Sequence, residues 1–119
     1  MLHTSDDRLK DNEKLIVNAL ETLDKLNPVK YKINNIFETG FVAQEVWYNA
    51  PELRHLVKTN AKENIQEISN YTYDMNPNEN GWSDEPATLN YIGLIGHITK
   101  GIQELDILLE NNKKQINKL

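Results

Sequence analysis

The sequence contains no cysteine, which excludes disulfides, a thiolate nucleophile and a cysteine-based zinc site. It is also short of positive charge, with 13 Lys and Arg against 18 Asp and Glu, and its net charge is -5. Nucleic-acid affinity depends on clustered basic side chains that release counterions, so no nucleic acid is expected as a partner. Apolar runs are only a few residues long, and no membrane-spanning segment is predicted.

The remaining composition indicates one small polar domain. The chain has 119 residues, of which 39% are hydrophobic, so part of its stability is expected to come from other subunits. We treat residues 1–119 as a single domain, in which residues 1–4 are an upstream remnant or an added start. Residues 5–88 are expected to form a globular part, and residues 89–119 a coiled-coil helix.

Metal and cofactor chemistry find little support in the sequence. His3, His55 and His97 are far apart and form no helical pair of ligands. Gly93 and Gly96 fall within an apolar helical pattern, not between a strand and a helix start as a phosphate loop requires. We therefore predict no metal site and no cofactor.

The N-terminal part of the chain has a helical pattern. Between residues 7 and 26, Leu9, Ile16, Leu20 and Leu23 repeat at helical spacings without an intervening Gly or Pro. Pro28 is expected to end this helix, because the residue before a proline is pushed out of the helical region. The predicted α+β fold therefore begins with a helix.

A small irregular β region is predicted to follow the helix. Val29, Tyr31 and Ile33 alternate with two lysines, which indicates a strand at 29–33. Weaker patterns predict a turn within 34–40, a strand passing into a short helix at 41–47, a short strand or helical turn at 53–57, a short strand at 71–73, and an exposed loop with a tight turn at 74–86.

The C-terminal helix has the clearest pattern. Spacings of four and three residues alternate for four heptads, which is typical of a coiled-coil seam. Its a positions are Ile95, Ile102, Leu109 and Ile116, and its d positions are Tyr91, Ile98, Leu105, Asn112 and Leu119. This mixture of Ile and Leu does not decide between two and three strands. Glycine costs a helix about 1 kcal/mol relative to alanine, so Gly93, Gly96 and Gly101 predict a close packing partner.

The segment from Ser5 to Lys10 allows two compatible interpretations. In the first, Ser5, Asp6 or Asp7 caps a helix start. In the second, Ser5 is a nucleophile and Lys10 its base, with amides of the helix start available to an oxyanion. A lysine can act as a base only when neutral, so it must be desolvated or lie near another cation, for which Arg8 is the candidate.

Residues 5–10 follow the pattern S-D-x-R-L-K. Further segments follow in order: Leu26–Tyr31 as L-x-P-V-x-Y, Gly40–Val46 as G-F-x-A-Q-E-V, Pro51–Leu53 as P-E-L, and Leu89–Leu94 with Ile102–Leu105 as a closing helix. Together these motifs resemble one family, the intramolecular chaperone or S74 peptidase domain of phage tailspikes, tail fibres and endosialidases, which segment 54–88 resembles poorly.

The resemblance implies a function. The domain is expected to form a homotrimer that registers an upstream fibre or spike stalk of the same polypeptide. It is then expected to release itself by a single autoproteolytic turnover, with Ser5 as nucleophile and Lys10 as general base. Cleavage at Thr4–Ser5 and at Ser5–Asp6 both remain open. The expected location is the host cytoplasm during virus assembly, followed by release from the mature virion fibre.

Four residues are expected to support this chemistry: Asp6, Arg8, Gln44 and Glu45. Gln44 and Glu45 form a polar pair inside an apolar run, so one of them is expected to contact Arg8 or the backbone near Ser5.

Two alternative functions remain open. The first is a trimerisation scaffold without catalysis. The second is a fibre-tip binding module in which exposed Trp82, Tyr71 and Tyr73 stack on sugar.

Overall fold

The computed structural model describes residues 2–119 and confirms an α+β fold. The helices are α1 (Ala19–Asp24), α2 (Ala43–Asn49) and α3 (Leu94–Asn117). The strands are β1 (Val29–Ile33), β2 (Ile36–Gly40), β3 (Val57–Lys58) and β4 (Thr88–Leu89). Short 3-10 helices occupy Asp7–Leu9, Pro51–Leu56, Lys62–Asn64, Pro77–Asn80 and Tyr91–Gly93. Met1, part of the predicted upstream remnant, lies outside the described residues.

The predicted N-terminal helix is wrong over most of its length. Only Asp7–Leu9 and α1 are helical, and residues 10–18 have no regular structure. Asn12 and Asn18 both have a φ of 55°, a left-handed conformation that asparagine tolerates better than most residues and that interrupts a helix. Leu9, predicted on the apolar stripe, is 73% exposed. We call residues 5–17 the N-terminal arm.

β1 and β2 form an antiparallel hairpin in which Val29 pairs with Gly40 and Ile33 with Ile36. The predicted strand at 29–33 is confirmed, but the predicted turn covered residues that form β2. The actual turn is only Asn34–Asn35, whose φ values of 51° and 65° suit a two-residue hairpin turn.

The main core gathers residues from α2, the following 3-10 helix, β3 and the start of α3. Its buried members are Val46, Trp47, Ala50, Leu53, Leu56, Val57, Trp82 and Leu94. The sequence predicted a strand passing into a helix at 41–47, whereas the strand ends at Gly40 and α2 extends to Asn49. At 53–57 both predicted alternatives occur in part, because a 3-10 helix leads into β3.

The region of 71–86 contains two corrections. No strand forms at 71–73. Tyr71 is buried and stacks on Tyr48, with ring centroids 4.9 Å apart. Trp82 is also buried, at 5% exposure, and its Nε1 donates to the Tyr48 hydroxyl over 3.1 Å. Tyr73 is exposed, so only one of the three aromatics proposed to stack on sugar is accessible. This weakens the fibre-tip alternative.

α3 is shorter at both ends than the predicted helix of 89–119 and packs against α1. A Cβ on Gly101 would lie 2.7 Å from Leu23 Cδ1, so glycine permits the close approach of the two helices. The expected close packing around the glycines of α3 is thus confirmed at this position. No helix within residues 2–119 combines the length and the apolar character needed to cross a bilayer.

Candidate functional site: the N-terminal arm and the uncovered face of α3

The arm brings Ser5 and Lys10 together. The Lys10 ammonium donates from Nζ to Ser5 Oγ over 2.6 Å, within hydrogen-bond reach for a nucleophile and its base. The 3-10 turn at Asp7–Leu9 lies between the two residues and folds the backbone so that they meet. Both side chains are exposed to solvent in the single chain.

Asp6 organises this turn. Its Oδ1 accepts from the backbone N–H of Arg8 over 2.8 Å, so Asp6 is the cap that the sequence left open among three candidates. The Arg8 guanidinium donates from Nη2 to Asp6 Oδ2 over 2.7 Å and from Nε to Oδ1 over 3.0 Å. These bonds hold the pKa of the Asp6 carboxyl below its usual value.

The bonds of this turn limit what Arg8 and the turn amides can contribute to catalysis. Arg8 was expected to act as a cation on Lys10, but its guanidinium pairs with the Asp6 carboxylate, which offsets its charge. The amides of Arg8, Leu9 and Lys10 are already bonded to Asp6 and Asp7 oxygens. These three amides are therefore not free to bind an oxyanion.

Gln44 and Glu45 do not reach the arm as expected. The Glu45 side chain is buried and its Oε1 accepts from Asn27 Nδ2 over 3.1 Å, which links the start of α2 to the end of the α1 segment. Gln44 is half-buried beside Ala43 and Tyr31. Within residues 2–119, Arg8 bonds Asp6 and Glu45 bonds Asn27, so Glu45 makes no hydrogen bond with Arg8 or with the backbone near Ser5.

α3 leaves the predicted seam uncovered. Its a and d residues are all exposed, while the chain's own contacts with α3 involve Leu94, Gly101 and Glu104, which lie outside the seam positions. An apolar stripe of this length on one helix is unusual for a monomer in water. The exposed seam members within α3 are Ile95, Ile98, Ile102, Leu105, Leu109, Asn112 and Ile116.

The two ends of the predicted seam lie outside α3. Leu119 follows its last residue, and Tyr91 belongs to the preceding 3-10 helix. The Phe41 backbone N–H donates to the Tyr91 hydroxyl over 3.1 Å, and the two rings pack with centroids 6.1 Å apart. Tyr91 therefore has a role within the chain that heptad spacing did not indicate.

Glu104 is a structural residue that the sequence analysis missed. Its carboxylate accepts from the backbone N–H of Leu20 over 2.8 Å and of Ala19 over 3.3 Å, and so caps α1 from another helix. The hydrogen bond from the Leu20 amide is the main cause of the lowered Glu104 pKa. Asn18, the residue before α1, makes no side-chain cap. No local pattern could reveal a cap located more than eighty residues away.

Residues 2–119 bring together no group of three His, Asp or Glu side chains that could hold a metal ion. The candidate reactive groups of the arm are Ser5 and Lys10, which lie next to the ion pair of Asp6 and Arg8.

Comparison with known proteins shows a similarity to one family that begins in this arm. A family model of the S74 peptidases, described as chaperone of endosialidase, matches residues 5–55. The match begins at Ser5 and includes the motifs at 5–10, 26–31, 40–46 and 51–53, so the resemblance inferred from the sequence is confirmed over this segment. No curated protein matches the chain.

Proposed function

We propose that this chain is an intramolecular chaperone that trimerises through α3, registers an upstream fibre or spike stalk of the same polypeptide, and then cuts itself free beside Ser5. The observation that carries the proposal is the 2.6 Å contact of Lys10 Nζ with Ser5 Oγ at the start of the family match. The match supports the chaperone role, and the contact supports the peptidase role.

The chemistry requires the proton on the Ser5 hydroxyl to move to a neutral Lys10 amine. Oγ then attacks the carbonyl carbon of the scissile peptide, and Lys10 returns the proton to the leaving nitrogen. That nitrogen belongs to Ser5 if Thr4–Ser5 is cut and to Asp6 if Ser5–Asp6 is cut. Water then hydrolyses the ester on Oγ, which completes one turnover.

Assembly has a physical role in this scheme. Three stalk chains must find a common register before their long-range contacts form, which makes unaided folding slow. A coiled coil of local contacts aligns the chains first. Its removal after folding leaves the stalk without its nucleus, so the stalk persists as a kinetically stable product. Assembly and cleavage would take place in the host cytoplasm, and the mature virion fibre would lack the domain.

The test is a chain extended by its native upstream sequence, analysed on a denaturing gel after purification. Two fragments are expected for the native sequence, and one uncut band for Ser5→Ala and for Lys10→Ala. Lys14→Ala is the matched control, since Lys14 is an exposed lysine of the same arm. Mass spectrometry of the released domain decides between the two candidate bonds.

The alternative scaffold function depends on the uncovered apolar face of α3, which does not involve Ser5. It predicts a trimer and an uncut band for the native extended chain. Cleavage that persists in Ser5→Ala would also reject the proposed nucleophile.

A further inference from the structure

Intrachain contacts on α3 fall on defined faces of the heptad. With Ile95 at a, Gly96 is at b, Glu104 at c, and Leu94 and Gly101 at g. α1 lies over the c and g face, where Glu104 caps it and Gly101 contacts Leu23. The arm lies over the b position, because a Cβ on Gly96 would be 3.2 Å from Ile16 Cδ1.

In a parallel coiled coil, the g side of one helix meets the e side of its neighbour. On a helical wheel, position c lies just outside g, and position b just outside e. The groove between two neighbouring α3 helices is therefore flanked by α1 of one subunit and by the arm of the next. The arm contacts α3 at Gly96 and α1 contacts it at Gly101 and Glu104, within two successive heptads, so the two contacts are about 8 to 12 Å apart along the helix axis at 1.5 Å per residue.

We propose that α1 of each subunit docks against the N-terminal arm of the neighbouring subunit, across the groove between their α3 helices. The proposal rests on the trimer of the proposed function. It names a second copy of this chain as the occupant of the arm's outer surface.

The exposed residues of the two segments suit this contact. On the arm, Ile16 is half-buried against α3, whereas Leu15 and Val17 on either side of it are 87% and 68% exposed. Large apolar side chains of this exposure in one short segment are expected to be covered by a partner.

Net charge does not favour this contact, because the arm carries four acidic side chains against three basic ones and α1 carries exposed Glu21 and Asp24. The exposed apolar side chains Leu15 and Val17 are therefore its basis. A neighbour in this position would restrict the arm and reduce the hydration of the segment that holds Ser5 and Lys10.

Cysteine cross-linking tests the contact directly, because the native chain contains no cysteine. Two single variants, Val17→Cys and Glu21→Cys, are co-expressed with different affinity tags and oxidised. A disulfide between them can only join two chains, since each chain carries one thiol. The linked peptide is then identified by mass spectrometry. Val17→Cys co-expressed with Glu79→Cys is the control, because Glu79 is exposed on the 3-10 helix Pro77–Asn80.

We expect disulfide-linked dimers that carry both tags to form readily in the first pair and to be rare in the control pair. Ile102→Cys in both chains reports the seam separately. If the seam cysteines link and the first pair does not, the docking is wrong and the trimer stands. If neither links and sedimentation gives a monomer, the trimer itself is rejected, and with it the docking.

Discussion

Lys10 Nζ donates to Ser5 Oγ over 2.6 Å while both side chains remain exposed to solvent. The same pair of atoms serves catalysis only when the direction of the bond reverses, with the hydroxyl donating to a neutral amine. In the extended chain, the cleavage rate is therefore expected to rise with pH, because only the neutral form of a lysine accepts a proton. The measurement is the cut fraction against time on gels over a pH series.

The lysine assignment has a stricter test in Lys10→Arg. Guanidinium keeps its positive charge near neutral pH and cannot take the serine proton, so this variant should not cut. Lys14→Arg, in the same arm, should cut like the native chain. Native cleavage by Lys10→Arg, or a rate that falls as pH rises, contradicts the assignment.

Ile102→Asp should dissociate the subunits, because a carboxylate at a repeating core position has no partner to offset its desolvation. Ile107→Asp is the matched control. Both isoleucines lie on α3 with similar exposure, 64% and 60%, but Ile107 falls at the outer f position. Sedimentation equilibrium should give a monomer mass for the first variant and a trimer mass for the second. Identical masses for the two variants would show that the seam is misassigned.

The contrast between α3 and the N-terminal arm shows what this sequence could predict. The heptads of α3 form a regular pattern that depends on local spacing, and the helix is present. The arm has helical spacing as well, yet two asparagines with left-handed φ interrupt it and α1 starts only where Glu104 supplies a cap. Propensity could not reveal that cap, because it comes from a distant segment.

The candidate site was predictable where it depends on neighbouring residues and was not predictable where it depends on tertiary packing. Ser5 and Lys10 meet across a single local turn, so their proximity follows from nearby residues. Glu45 depends on tertiary packing, which buried it against Asn27 and away from the arm.

Glu104 should make the packing of α1 against α3 depend on pH. Its pKa is lowered in the folded chain, chiefly by the hydrogen bond from the Leu20 amide, and Lys100 is a nearby positive charge with the same effect. A lowered carboxyl pKa contributes stability that is present above the ordinary value and is lost as pH falls through the folded value. Urea midpoints at fixed protein concentration should therefore fall on acidification.

Glu104→Gln should lower the neutral-pH urea midpoint and reduce that pH dependence, because an uncharged amide oxygen is a weaker acceptor for the α1 amides. Glu110→Gln is the control on the same helix, since Glu110 is exposed and forms an ion pair with Lys113. Equal midpoint changes for the two variants at neutral and at acidic pH would reject the capping role of Glu104.

Gly81→Ala and Gly96→Ala should have different effects on stability. Gly81 has a φ of 86°, and a Cβ there would overlap the backbone carbonyl of Asn64, so alanine is opposed by both conformation and space. We expect a loss of more than about 1 kcal/mol in the free energy of unfolding. At Gly96, within α3, alanine gains about 1 kcal/mol of helix propensity, and its Cβ meets only the end of the Ile16 side chain at 3.2 Å. Urea unfolding followed by tryptophan fluorescence suits the comparison, because buried Trp82 directly follows Gly81. If Gly81→Ala is as stable as Gly96→Ala at the same protein concentration, Gly81 does not have the close approach to the Asn64 carbonyl described for it.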